Sequence, residues 1–459
     1  MASAAHGALS RCQGLQLLRT SKKTKQEVRE VISAMLDLGH FHDAQDFTLA
    51  IGACKMRAMW EQGLSMLTAM QQRAVEADAI CCGAAISACE RGRAWQPALA
   101  LLEEMRRRGP APNVIHLSAA ASACEKGTQW ARTLAMVHGM DIEGPSPNII
   151  TYGAAIKACE RGAHWPLALS CLTDVQRRGL KLSIIAMNSA ISACEKGQQW
   201  TRALALFAGL PAMLLSPDIM SYSASISGCA RQQHWARAAR LLDEARRGQI
   251  APDLIMYNAT ISASAAAAMW AQSLALMAEM HRNLVWPDVV TYNSVLAAFE
   301  GSGQWPGALA LLGEMRSRSK LRPDLTTCVT LIRACGKGLQ WQRAAQVFSQ
   351  MDDLAVGPDW LTHTMLIRQY GYGQQWSLAA RLLTDTLGRG FRLDLEASRQ
   401  LAITCVEGQQ WQMALQLCEA VQTKGLQLHP DARQMLIYTL RNAQQPDAVA
   451  FLQHKAEHR

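Results

Sequence analysis

Apolar residues recur along this chain at helical spacing, in paired short runs separated by a glycine-containing break. In one copy Met187, Ala190, Ile191 and Cys194 stand at i, i+3, i+4 and i+7, one face of a helix. Gly197 follows, where a helix is expected to end in a left-handed residue. A second run starts at Trp200 and continues through Ala203, Leu204 and Phe207. The copy at Trp305 repeats that second run with Ala308, Leu309, Leu312 and Met315. Pro166 and Pro306 directly follow a tryptophan, and proline is tolerated in a first helical turn, so the tryptophan marks where the second helix begins. The period-two alternation of strands is essentially missing. The unit is a helix–turn–helix with helices too short to stand alone, so stacking on neighbours must bury its Trp, Cys and Leu faces.

The tryptophans give the register: 60, 95, 130, 165, 200, 235, 270, 305, 341, 376 and 411. Every step is 35 residues except one of 36 after Trp305, and a further 35 reaches Pro446 in QQPDAVAFLQ, a degenerate twelfth copy. Eleven of 13 tryptophans lie on this ladder, which excludes chance. A 459-residue chain that length alone would divide into about three domains is thus one array of repeats. Connectors join the copies: APN, SPN, SPD, APD, WPD, RPD and GPD, ending at 113, 148, 218, 253, 288, 324 and 359. Proline stops one hairpin and Asp or Asn opens the next. The expected organisation is a leader at 1–26, a partial repeat at 27–43, eleven repeats over 44–429 and a degenerate capping hairpin at 430–459, with no segment for a separate catalytic domain.

Composition changes this picture little. With 49% hydrophobic and 18% charged residues the chain can bury a continuous core. A formal charge of +9 suits a polyanionic partner without specifying one. Of 14 cysteines, Cys54, Cys89, Cys124, Cys159, Cys194, Cys229, Cys335 and Cys405 each stand six residues before a ladder tryptophan. They lie a repeat or more apart, which is the pattern of small core residues and not of metal ligands, and the adjacent Cys81 and Cys82 cannot form a zinc knuckle. No metal and no cofactor is expected. Unpaired thiols favour a reducing compartment. The first 26 residues lack Asp and Glu and carry Arg11, Arg19, Lys22, Lys23 and Lys25 among Ala, Ser and Leu, the pattern of a transit peptide for plastid or mitochondrion. Residues 254–278 hold no charge, yet they contain Asn258, Thr260, Ser262, Ser264 and Gln272 and sit in register with Trp270, so a buried hairpin is expected and no membrane insertion. His116, His164, His234, His363 and His429 are scattered singly and the H-x-E…C-x-x-C pattern of zinc deaminases does not occur, so intrinsic catalysis is not expected.

The segments VTYNSVLAAFEGSGQWPGALALLGEMRS with its RPD (from Val290) and ITYGAAIKACERGAHWPLALS (from Ile150) resemble the pentatricopeptide repeat, a 35-residue hairpin of organellar RNA-binding proteins. Period, TYN-like start, EM late in the second helix and terminal PD each match in more than one copy, over about residues 44–446. The tetratricopeptide repeat, with its period of 34 and W-x2-L-G-x2-Y start, is not matched. The regular internal tryptophan departs from the family, which is ordinarily aliphatic there, and is expected to be a packing variant. The resemblance implies an all-α, right-handed superhelical solenoid of tandem 35-residue helix–turn–helix repeats. Its implied partner is single-stranded RNA, with one base per repeat read by two or three side chains.

The family's base-reading pair falls on two columns. One, at repeat ends, reads Asp43, Asp78, Asn113, Asn148, Ser183, Asp218, Asp253, Asp288, Asp324, Asp359 and Asp394, residue types that would equally serve as N-caps. The other, on first helices, reads Thr48, Gly83, Ser118, Gly153, Asn188, Ser223, Asn258, Asn293, Val329, Thr364 and Arg399. Variation among Asn, Ser, Thr and Gly in fixed surroundings suits base edges better than packing. The family's code then implies uridine for Asn188/Asp218, Asn258/Asp288 and Asn293/Asp324, guanine for Thr48/Asp78, Ser223/Asp253 and Thr364/Asp394, and adenine for Ser118/Asn148. The Gly83, Gly153 and Val329 repeats should be permissive, Arg399/His429 is off the code, and the target is GNANUGUUNG.

Two more columns follow from the resemblance. Ile80, Ile115, Ile150, Ile185, Met220, Ile255, Val290 and Leu361 match the family's wedge between bases, and could also be ordinary core residues. Arg91, Lys126, Arg161, Lys196, Arg231 and Lys337 match lysines near the RNA backbone, and could also be a solvated turn beside Glu90, Glu125, Glu160 and Glu195. Ala266, Gly301, Tyr372 and Glu407 replace the cation elsewhere, so backbone affinity should concentrate in the N-terminal half. The leading expectation is a sequence-selective RNA binder that stabilises, processes or aids translation of an organellar transcript, alone or with a recruited enzyme or other protein. The alternative is a helical scaffold for protein partners.

Overall fold

The computed structural model describes residues 11–19, 24–73, 75–108, 110–317, 321–353, 356–373, 375–388 and 430–442, with single positions between 402 and 414. Among the described residues there are 23 α-helices in tandem, one short 3-10 turn and no strand. Ten ladder tryptophans, Trp60 through Trp376, are each the first residue of a second helix. The apparent apolar span at 254–278 is two helices, Leu254–Ala266 and Trp270–Arg282, and no helix among the described residues is long and apolar enough to cross a membrane.

The chain forms two compact units that divide between Gly228 and Cys229. The first contains five hairpins: Ala44–Met56 with Trp60–Gln72, Ala79–Arg91 with Trp95–Arg108, Val114–Lys126 with Trp130–Glu143, Ile149–Arg161 with Trp165–Arg177, and Ile184–Lys196 with Trp200–Gly209. The second contains four, whose first helices are Leu254–Ala266, Val289–Ser302, Leu325–Lys337 and Trp360–Tyr372. Within each unit a first helix packs on the first helix of the next repeat, and a second helix packs on its own first helix and on the next. Within each unit the first helices therefore form a layer that carries the candidate reading column. The cysteine column lies in the core, with Cys54, Cys89, Cys124, Cys159, Cys194, Cys229, Cys335 and Cys405 fully buried.

Two expectations about the turn are corrected. Gly197 is not left-handed: its φ is −81°, and the left-handed residue is Gln198 at φ 58°. The same holds at Ala58, Arg93, Thr128, Ala163, Gln233, Ala268 and Leu339, each two residues before a ladder tryptophan. Glycine is needed one position earlier for space. A Cβ on Gly197 would lie 2.2 Å from Cδ1 of Trp165 in the preceding repeat, and Gly92, Gly127, Gly338 and Gly373 meet Trp60, Trp95, Trp305 and Trp341 in the same way. The indoles of Trp60, Trp95, Trp130, Trp165, Trp305 and Trp341 are consequently half-buried, not core: they lie across the turn of the following repeat, where Arg132 stacks on Trp95 at 4.4 Å and Arg202 on Trp165 at 4.3 Å.

Residues 11–37 form two helices, Arg11–Arg19 and Lys25–Asp37, the latter opened by a Thr24/Glu27 capping box. The first lies inside the segment read as a leader. Leu18 is buried, and Arg11 reaches Asp43 at 2.9 Å and Asp46 at 2.8 Å on the next repeat. Residues 430–442 form the helix Pro430–Asn442; the rest of the expected capping hairpin, Trp411, Asp394, Arg399 and His429 lie outside the described residues.

Candidate nucleic-acid interface

The repeat-end column does cap helices. Asp78, Asn113, Asn148, Ser183, Asp218, Asp253, Asp288, Asp324 and Asp359 each accept a hydrogen bond from the backbone N–H of the third helical residue. Asp43 makes no side-chain cap bond and pairs with Arg11 instead.

The same atoms also hold the reading column. Asn188 Nδ2 donates to Asp218 Oδ1 at 2.8 Å, Asn258 Nδ2 to Asp288 Oδ1 at 3.3 Å, and Asn293 Nδ2 to Asp324 Oδ1 at 3.2 Å. All three expected uridine pairs are thus brought together, with the asparagines half-buried. Partial burial pushes these three carboxyls up. The bonds they accept from the backbone N–H, the hydroxyl of Ser221, Thr291 or Thr327 and the asparagine amide outweigh it, holding each below the usual carboxylate range.

Hydroxyl residues in the reading column behave differently. Thr48 donates to Ala44 O at 2.7 Å, Ser118 to Ile115 O at 3.0 Å, Ser223 to Ile219 O at 2.8 Å and Thr364 to Trp360 O at 2.8 Å. Their hydrogen is held by their own helix and their oxygen can only accept. Asn148 accepts from both Thr151 N and Thr151 Oγ1, at 2.9 and 2.8 Å, which leaves its Nδ2 as donor. Ser223 and Asp253 lie in different units, and Asp394 is outside the described residues, so the guanine pairs they complete are described one side at a time.

The glycine repeats differ from each other. Nothing lies within 4 Å of a Cβ built on Gly153, whereas one on Gly83 would lie 2.9 Å from His116 Nε2. His116 is buried, bonded to Ala79 O at 2.8 Å and to Asn113 N at 3.1 Å, and fills that slot. Val329 is half-buried, beside a repeat end where Thr362 bonds only Asp359.

The wedge column is not core. Ile80, Ile115, Ile150, Ile185, Met220, Ile255 and Val290 are between 58% and 69% exposed, while Leu361 is half-buried. Each stands three residues before a reading residue, so the two columns share a helix face. A repeating row of bare aliphatic side chains beside polar ones is what a stacked, partly apolar ligand requires.

The cation column is tied to carboxylates across the repeat interface. Lys126 lies 2.9 Å from Glu90, Lys196 3.1 Å from Glu160 and Lys337 3.8 Å from Glu300, which Arg333 also reaches at 2.7 Å. Arg161 lies 3.1 Å from Glu125 Oε1, off hydrogen-bond alignment, and donates to the Glu125 carbonyl at 2.9 Å. Arg91 reaches Met56 O at 3.5 Å, and Arg231 is exposed. These partners are one repeat back, not the adjacent glutamates. The CE(K/R)G run at fixed register held that signal, because two such columns on stacked helices must face each other.

Fold and columns define a helical-repeat protein of tandem 35-residue hairpins. Three family profiles agree: the PPR repeat family at 287–337, the pentatricopeptide repeat domain at 240–302 and the PPR repeat at 326–354. Over residues 240–354 the chain thus carries pentatricopeptide repeats. Comparison with curated proteins gave no match. Among solved structures, the pentatricopeptide repeat protein PPR10 from maize is 16% identical, covering 97% of this chain and 76% of its own, with a TM-score of 0.53. PPR10 in complex with an 18-nt psaJ RNA element is 18% identical, covering 98% and 70%, with a TM-score of 0.54. At such identity the likeness is one of fold.

Proposed function

We propose that this protein binds single-stranded RNA sequence-selectively, one base per repeat, in the RNA metabolism of a plastid or mitochondrion. The observation that carries the reading is the set of asparagine–aspartate pairs, bonded at 2.8 to 3.3 Å beside an exposed aliphatic column. A base sits between successive aliphatic side chains and shows its Watson–Crick edge to the pair. After its bonds to the aspartate and to the hydroxyl of Ser221, Thr291 or Thr327, each asparagine keeps one N–H and one carbonyl lone pair, the complement of uracil's O4 and N3–H. A Thr oxygen that can only accept, with an aspartate, complements the two donors of guanine, N1–H and N2–H. At Ser118/Asn148 the free Nδ2 donor suits adenine N1. The PPR10 structure with bound RNA supports the same class of ligand. The transcript is stabilised, processed or presented for translation, with or without a recruited enzyme.

The test is a gel-shift titration of the full chain with GNANUGUUNG against the same RNA with its central UGUU changed to CACC, at one fixed salt concentration. The first RNA is expected to bind more tightly. In Asn258→Thr with Asn293→Thr, preference at the seventh and eighth bases should move from U toward G. Equal weak binding to both RNAs that collapses with salt would overturn base reading, and no binding at all would favour a scaffold for protein partners.

A further inference from the structure

The third residue of each first helix has no place in the two-column reading, yet in every asparagine repeat it touches the reading residue before it. Ser221 Oγ lies 2.6 Å from Asn188 Oδ1, Thr291 Oγ1 2.6 Å from Asn258 Oδ1, and Thr327 Oγ1 2.6 Å from Asn293 Oδ1. All three hydroxyls are fully buried. Each also accepts from the N–H of the capping aspartate, at 3.2 to 3.3 Å, and shares its hydrogen with that aspartate's Oδ1 at 2.8 to 2.9 Å. The amide is thereby held at both ends, Nδ2 by the carboxylate and Oδ1 by the hydroxyl. That fixes which atom faces outward and in which plane, as one contact alone would not.

Where the reading residue is not asparagine, the third residue differs in kind or in contact. It is Ala186 opposite Gly153 and His116 opposite Gly83. Thr151 and Thr362, opposite Ser118 and Val329, bond only their own caps.

We infer that the reading unit has three members, and that Ser221, Thr291 and Thr327 are positioning residues that set uridine selectivity by locking the asparagine amides. The inference deepens the RNA reading and rests on it. It also states what installs a uridine reader. Gly153 has open space for a side chain, but position 183 is a serine and supplies no carboxylate, and position 186 is an alanine and supplies no hydroxyl. Gly83 cannot take asparagine while His116 fills its slot.

The test has one arm without RNA. In full-length protein labelled with 15N-asparagine, the side-chain amide of Asn293, identified by its loss in Asn293→Ser, should show slowed hydrogen exchange. Exchange should speed up in Thr327→Val and recover in Thr327→Ser. An amide equally protected in Thr327→Val overturns the inference whatever RNA does. In the RNA arm, the U-over-C preference at the eighth base should fall on the order of five-fold in Thr327→Val, the worth of one net hydrogen bond. It should stay unchanged at the fifth and seventh bases and return in Thr327→Ser. A loss spread over all positions, or weaker binding with an unchanged U-to-C ratio, would mean a purely structural threonine and overturn it. The gain-of-function pair is Gly153→Asn/Ser183→Asp with and without Ala186→Thr. Only the triple variant should acquire U preference at the fourth base. If wild-type protein shows no U-over-C preference anywhere while the amide still responds to Thr327→Val, the RNA reading has failed and the selectivity role falls with it.

Discussion

Gly197 and Gln198 divide two jobs that glycine usually performs together. Gln198 takes the left-handed backbone at φ 58°, which costs a residue with a Cβ about 1 kcal/mol or more. Gly197 keeps an ordinary φ of −81° and supplies room for the Trp165 indole. Gln198→Gly should therefore stabilise the protein by somewhat under 1 kcal/mol, because glycine's greater unfolded freedom offsets part of the relieved strain. Gly197→Ala should destabilise it by about 1 to 3 kcal/mol through overpacking against Trp165. Urea unfolding followed by circular dichroism reads both signs. The reverse pair of signs would mean that backbone conformation, not the indole, selects glycine there. Glycine's position was legible in the sequence and its reason was not. The ladder tryptophan marks the start of its own helix, but nothing in one repeat says that its ring lies on the turn of the next.

The aspartates that open the first helices join an element's stability to the site it carries. Asp218, Asp288 and Asp324 are held below the ordinary carboxyl value of 3.8. A carboxyl depressed in the folded state contributes stability that is complete above the unfolded value. It is lost as pH falls from about 4 through the still lower folded value. Lowering the pH from 5 to 3 should accordingly reduce the thermal midpoint, and Asp288→Asn with Asp324→Asn should flatten that dependence. At neutral pH, Asp288→Ala should cost about 1 kcal/mol, as lost caps typically do. An unchanged acid profile in the double variant would mean that other groups govern acid stability. Sequence alone left this column open between cap and base reader because both roles need a short acceptor. The bonds from Asn188, Asn258 and Asn293 show one carboxylate serving the cap and the neighbouring repeat's side chain together. Of the buried third-residue hydroxyls, Thr291 stands in the TYN-like start, while Ser221 and Thr327 precede Ser223 and Val329. Their contact partner is 33 or 34 residues away, so local spacing could not reveal it.

Over the whole molecule, a formal charge of +9 overstates the charge available to a polyanion, because several of its cations are already paired. In the first unit Lys126, Arg161 and Lys196 each lean on a carboxylate of the preceding repeat, and Glu125 on that seam is almost fully buried. Lys196 stands eleven residues after Ile185, about three helical turns on, and so shares the exposed stripe of that aliphatic column. A phosphate near that stripe competes with Glu160 for the ammonium. Binding should then show a shallower salt dependence than six cations would give at about 0.7 in log–log slope per phosphate on a single strand. Glu160→Gln removes the competitor while keeping a side chain of the same shape. It should tighten RNA binding at low salt and steepen the slope by up to about 0.7. Its cost in stability should be small, because half-exposed ion pairs contribute about 0.2 to 1 kcal/mol. Lys196→Gln is the complementary variant and should flatten the slope. Fluorescence anisotropy over a series of salt concentrations measures both. If the two variants leave the slope where it was, the cation column holds repeats together and phosphates pass elsewhere on the first-helix layer. Slopes that move in opposite directions would place the RNA backbone along the ends of the first helices.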